Sequence, residues 1–134
     1  MITRKVVIAA AAIFALLLLL LILFTGSSRE LQLTAADNLS SIELQPGQRL
    51  RITLAANPTT GYTWAILEPT DDRILRQLGE IEFEPESTLV GAGGVQIIRF
   101  EAVSAGQSSL KLVYHRPWES VEPLESFTLS VTVR

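Results

Sequence analysis

The chain contains no cysteine, a single histidine and a single methionine in 134 residues. Without cysteine there is no disulfide scaffold, no thiolate zinc site, no cysteine nucleophile and no lipid-modified N-terminal cysteine. With His115 alone, a metal site built on several imidazoles is excluded, and no Gly-x-Ser-x-Gly elbow accompanies it to suggest a hydrolytic triad. No cofactor is expected. Basic charge is scarce too. Arg4 and Lys5 precede a long apolar run, which leaves nine Lys and Arg against 14 Asp and Glu, a net charge of about −5, with no basic cluster. Nucleic-acid binding requires a basic footprint to neutralise phosphates, so that class is set aside.

What the chain has in excess is apolar sequence at its start. Val6 to Phe24 is an unbroken run of 19 apolar residues. At ~1.5 Å per residue it reaches roughly 28 Å, close to the hydrocarbon thickness of a bilayer. It is longer than the usual apolar part of a cleaved signal, and the positive charges lie before it. The expectation is a signal anchor over residues 6–24, with residues 1–5 in the cytoplasm and the remainder outside. A cleaved signal, cut near Thr25-Gly26-Ser27 and releasing a secreted or periplasmic protein, is the alternative. Residues 25–37 read as a linker. Removing the first 28 or so residues leaves roughly 105, enough for one small core and too few for a second domain.

The rest alternates with a period of two. Leu50, Ile52 and Leu54 share one face of residues 48–54, and residues 109–114 and 127–133 repeat the pattern. Such alternation means half-buried strands. Residues 96–103 and 61–66 are further strands, and Asp71 to Leu78 has room for a short helical turn. Turn signals separate the strands at Gln45-Pro46-Gly47-Gln48, Asn57-Pro58, Ala105-Gly106-Gln107 and Glu122-Pro123. About seven strands at intervals near ten residues predict an all-β, immunoglobulin-like β-sandwich.

Three connections carry more constrained residues than a plain turn needs. In Asn57-Pro58-Thr59-Thr60-Gly61, Pro58 fixes φ, the threonines are stiff, and Gly61 permits a positive φ where the strand resumes. In Gly91-Ala92-Gly93-Gly94, missing side chains bare the backbone; a strand follows rather than a helix, which argues against a phosphate loop. In Arg116-Pro117-Trp118, a tryptophan sits beyond a strand end, and Trp and Arg are the types most enriched at binding hot spots. In an immunoglobulin-type sandwich these three connections gather at one end. The residues by themselves therefore describe an exported binding module. Tyr62 and Trp64, at the start of the next strand, read as core and loop support.

In order and spacing, the three blocks resemble the chagasin family of cysteine peptidase inhibitors, over about residues 38–134. The resemblance implies tight, reversible, non-covalent inhibition of papain-like (clan CA) cysteine proteases by a single copy plugging the active-site cleft. Residues Asn57, Pro58, Thr59, Thr60 and Gly61 would enter at the catalytic pair, Thr59 and Thr60 nearest. Arg116, Pro117 and Trp118 would lie on the primed side. Gly91, Ala92, Gly93 and Gly94 would line the other flank through main-chain contacts. Arg116 has a second reading, a brace paired to a carboxylate of the sandwich. The competing class is an exported adhesion or ligand-binding module, against which the small number of aromatics outside strands weighs.

Overall fold

The computed structural model describes residues 3–25 and 29–134, with helix side chains as far as Leu20. Helix α1 spans Arg4–Thr25. Nine strands follow among the described residues: β1 Leu31–Leu33, β2 Ser40–Leu44, β3 Arg49–Ala56, β4 Thr63–Ile66, β5 Leu75–Gln77, β6 Glu82–Pro85, β7 Gly94–Ala102, β8 Gly106–His115 and β9 Glu125–Val133. They form two facing sheets. One runs β1-β3-β7-β5, with β6 also paired to β7; the other runs β2-β9-β8-β4.

Alternation sets which side chains face inward. Leu50, Ile52 and Leu54 from β3, Ile98 and Phe100 from β7, Leu110 and Leu112 from β8, and Phe127, Leu129 and Val131 from β9 are all buried. Every residue of this core lies between Leu33 and Val133, so the sandwich holds together without α1. At roughly 25 cal/mol per Å² of apolar surface, this shared burial is what a cysteine-free domain relies on. Gln96 is the one buried polar side chain among the described residues. It accepts from the Trp64 backbone N–H at 2.8 Å and donates to Thr63 Oγ1 at 2.9 Å, tying β7 of one sheet to β4 of the other.

Three details depart from the sequence reading. Strands number nine rather than about seven because β1, β5 and β6 are short pieces that carry no readable alternation. Residues 31–33, expected in the linker, pair with β3 in parallel and bury Leu33. Between Asp71 and Leu78 a single turn closes, with the Leu75 N–H donating to the Asp71 carbonyl at 2.9 Å, and the chain then extends as β5. The transmembrane expectation also requires correction: among the described residues no helix is long and apolar enough to cross a membrane. The cleavage alternative at Thr25-Gly26-Ser27 falls largely outside the described residues.

Register fixes the poles of the sandwich. Ala56 pairs with Gly94, Thr63 with His115, and Tyr114 with Glu125, so the connections 57–62, 86–93 and 116–124 all leave from one end. Leu31 pairs with Leu50, and Val133 with Gly106, so the chain enters and leaves the sandwich at the opposite end.

Candidate functional site: three loops at one pole

The loop from Asn57 to Gly61 is a 3-10 turn built from its own side chains. Asn57 is its N-cap, and its Oδ1 accepts from the Thr59 N–H at 3.2 Å and the Thr59 hydroxyl at 2.6 Å. Pro58 occupies the first helical position, where a missing N–H costs nothing. The Thr60 hydroxyl donates to the Asn57 carbonyl at 2.6 Å. Gly61 closes the turn in the left-handed region, φ 82°, as its sequence context led one to expect. Thr59 and Thr60 are left exposed at the tip.

Beneath this loop lies an aromatic stack. Trp64, 4% exposed, stacks on Tyr114 at 5.2 Å between centroids, and Tyr114 lies 5.4 Å from Tyr62. The Trp64 indole N–H donates to the Ala55 carbonyl at 3.0 Å. The Tyr114 hydroxyl accepts from the Asn57 backbone N–H at 2.9 Å. Trp64 on β4 and Tyr62 just before it thus provide core and support, as read from their position where the strand resumes. Tyr114 does the same from β8, a role the sequence did not single out: it carried only strand alternation there.

Arg116 joins two loops. Its Nε donates to the Thr60 carbonyl at 3.0 Å, its guanidinium carbon stands 4.5 Å above the Tyr62 ring centroid, and it pairs with Glu119 at 3.1 Å. A cation over an aromatic face with a planar donor on a carbonyl is a geometry lysine cannot reproduce. The bracing role of Arg116 is therefore real, but its carboxylate is Glu119 of its own loop rather than one on the sandwich. Pro117 starts the turn closed by the Glu119 N–H on the Arg116 carbonyl at 3.0 Å. Trp118 is 70% exposed, yet one edge of its ring lies on Gly61, where a β-carbon would stand 2.9 Å from Trp118 Cζ2.

The glycine segment ends the β6–β7 hairpin. The Glu86 N–H donates to the Gly93 carbonyl at 3.1 Å, and Gly94 pairs with Pro85. At Gly94 a side chain would collide with β6, since a β-carbon would stand 2.8 Å from Pro85 Cα. Ala92 and Gly93 are half-buried, and the Gly91 carbonyl accepts from Asn57 Nδ2 at 3.3 Å. All twelve residues singled out in the sequence thus belong to one pole, and Asn57 and Arg116 are the hubs joining their three segments. A groove of about 340 Å³ runs beside them between Asn57, Gly93, Gly94 and Tyr114, with Glu86 and Glu125 at its rim. A larger one, about 450 Å³, lies around Lys111, Val113 and Leu124 and includes none of the twelve. Among the described residues no group of three acidic or histidine side chains is placed to hold a metal ion.

The sequence of residues 43–133 matches the Chagasin family peptidase inhibitor I42 model. Amoebiasin-2 of Entamoeba histolytica is 38% identical over 104 residues, 76% of this chain and 84% of that protein. Chagasin of Trypanosoma cruzi is 32% identical over 90 residues, 65% of this chain and 82% of its own length. The crystal structure of a cysteine protease inhibitor from Entamoeba histolytica superposes with a TM-score of 0.67 at 26% identity, covering 78% of this chain and 95% of that one. The chain belongs to the chagasin family of peptidase inhibitors, a family of protein inhibitors and not of enzymes.

Proposed function

We propose that this protein inhibits papain-like cysteine proteases by seating the pole formed by Asn57–Gly61, Gly91–Gly94 and Arg116–Trp118 in the active-site cleft, reversibly and one copy per enzyme. The observation that carries the reading is the cross-bracing of these segments. Asn57 donates to the Gly91 carbonyl and Arg116 to the Thr60 carbonyl, so the surface exists before a partner arrives. Preorganisation lowers the ordering cost of association, which lets a small rigid inhibitor bind tightly. Cleavage needs a carbonyl in near-attack geometry at the enzyme's thiolate. The 3-10 turn at Pro58–Thr60 commits the carbonyls of Asn57, Pro58 and Thr60 to the N–H of Thr60, the N–H of Gly61 and the Arg116 guanidinium. A loop so occupied fills the cleft without offering an extended peptide. Thr59 and Thr60 take the centre, and Trp118 supplies exposed aromatic area on one flank.

Export is a further part of the proposal. Basic Arg4 and Lys5 ahead of the apolar Val6–Phe24 form the pattern of a secretion signal. The inhibitor then works outside the cytoplasm, released once its apolar leader is removed.

The test is titration of residues 29–134, which contain the whole core, against papain with a fluorogenic peptide. Stoichiometric, reversible inhibition with an intact Thr59–Thr60 bond is the expected result; no inhibition at micromolar protein would return the chain to the adhesion or ligand-binding class. Fractionation and protease protection of a C-terminally tagged full chain address export, and a tag found only in the cytosol would end that part of the proposal.

A further inference from the structure

The chain holds two asparagines, Asn38 and Asn57, and each is followed two residues on by a hydroxyl side chain. Chemically they are not equivalent. In Asn57-Pro58-Thr59 the intervening proline bars the asparagine from serving as an N-glycosylation acceptor. Asn38-Leu39-Ser40 has the acceptor pattern, Asn-x-Ser/Thr with x other than proline. The barred asparagine opens the inhibitory loop; the permitted one joins the 3-10 turn Ala35–Asp37 to β2. The fold presents Asn38 outward. It is exposed, its Oδ1 accepts from the Thr128 backbone N–H at 2.8 Å, and its Nδ2 has no hydrogen-bond partner among the described residues. The Thr128 N–H can only donate, so the amide oxygen faces β9 and the amide nitrogen is left to solvent. An N-linked sugar occupies Nδ2 and keeps Oδ1 as a carbonyl, so the contact with β9 survives modification. Two neighbours lack a cover without it. Leu39 is 80% exposed and is the one non-glycine residue with a positive φ, 65°, among the described residues. Strand β2 beside it is the outermost strand of its sheet, an edge of the kind folds protect by covering.

We infer that Asn38 is an N-glycosylation site, modified as the chain is exported. The inference rests on the export reading, because the donor sugar and its transferase face the far side of the membrane. In the step, Asn38 Nδ2 attacks the anomeric carbon of an oligosaccharide carried on a lipid diphosphate, in the site of an oligosaccharyltransferase. The bond from that carbon to nitrogen forms, the bond to the phosphate oxygen breaks, the lipid diphosphate leaves, and Nδ2 gives up one proton. The sugar then stands over Leu39 and the edge of β2. Strands β9 and β8 separate that edge from β4, which follows the Asn57 loop, so the glycan shields an exposed edge and leaves the inhibitory pole open.

The experiment recovers the C-terminally tagged full chain from outside the cytoplasm of the cells that make it, and weighs the tryptic peptide Glu30–Arg49, which contains Asn38. Wild type is compared with Ser40→Ala and Ser40→Thr. The expected result is a peptide heavier by whole sugar residues in wild type and Ser40→Thr. Ser40→Ala should give the bare peptide, although it retains Asn38 and the bond to Thr128. Glycosylated wild type and Ser40→Ala should inhibit papain equally. A bare peptide in exported wild type overturns the inference, as does a sugar that persists in Ser40→Ala, which would sit on a hydroxyl instead. Weaker inhibition by the glycosylated form overturns the placement of the sugar away from the pole. A tag confined to the cytosol would refute the export reading itself, and the two failures are thereby distinguished.

Discussion

Gly47 and Gly61 have nearly the same backbone, φ 87° and 82°, at opposite poles of one sandwich. A β-carbon on Gly47 would meet nothing within 4 Å, whereas one on Gly61 would run into the Trp118 ring. Gly47 serves the short Gln45–Gln48 turn between β2 and β3, which only has to reverse the chain. Gly61 ends a 3-10 turn on which a second loop rests. The same conformational demand thus serves connection at one pole and surface construction at the other. The pole carrying the twelve motif residues has long connections, side-chain hydrogen bonds between loops, and exposed Trp118, Val90 and Leu89. The pole where the chain enters and leaves has short turns such as Gln45–Gln48.

The contrast can be broken most severely from below. Trp64→Ala removes the stacking partner of Tyr114 and should cost about 3–5 kcal/mol of stability, read from the denaturation midpoint at unchanged m-value. Unaltered stability would contradict its place in the core. Next, Thr60→Ala with Trp118→Ala should raise Ki for papain about a hundredfold or more while Tm moves little, because both side chains lie on the surface of the pole. Normal inhibition by that double variant would unseat the site assignment even with the family intact.

The glycine pair sharpens the comparison directly. Gly47→Ala and Gly61→Ala should each lose about 1–2 kcal/mol through the left-handed backbone, with Gly61→Ala somewhat worse for displacing Trp118. Only Gly61→Ala should also weaken inhibition, and parallel inhibition assays at matched folded fraction would show it. A smaller effect is expected for Tyr114→Phe. Losing the acceptor for the Asn57 N–H should cost about 1 kcal/mol and raise Ki several-fold through a looser loop, measurable in the dissociation rate.

Least of all should follow from Asp71, in the connection between β4 and β5 away from the loop pole. Hydrogen bonds from the Arg73 side chain, then from its backbone N–H, hold the Asp71 carboxyl below its ordinary value. A carboxylate with a depressed folded pKa stabilises the fold above its unfolded pKa and loses that contribution as pH falls through the folded one. Asp71→Asn should therefore flatten acid unfolding slightly below about pH 4 and leave inhibition at neutral pH untouched.

The long strands could be read in advance because each places its inward residues two apart, as Leu110 and Leu112 or Leu129 and Val131 do. The loop motifs were visible because Asn-Pro, the glycine segment and Arg-Pro-Trp combine residue types with narrow backbone or contact preferences. Strands β1, β5 and β6 were not, since three or four residues give too few repeats of a period and owe their form to pairing with β3 or β7. Nor was Tyr114 visible as a support, since its hydroxyl partner lies 57 residues away in sequence. Glu119 was nearer to hand: three residues after Arg116, it is within reach of a local pair.

By itself the sequence determined the inward faces of the long strands, the absence of thiol chemistry and the left-handed end of the Asn57 turn. These follow from local periodicity, composition and the conformational range of single residues. Only the tertiary structure decided that Arg116 grips the Thr60 carbonyl, that Asn57 holds the Gly91 carbonyl, and that Trp118 rests on Gly61. Those contacts join residues 34 to 57 positions apart, and no local preference specifies them. They come into being when strand register carries three loops to the same pole and the core beneath fixes their separation.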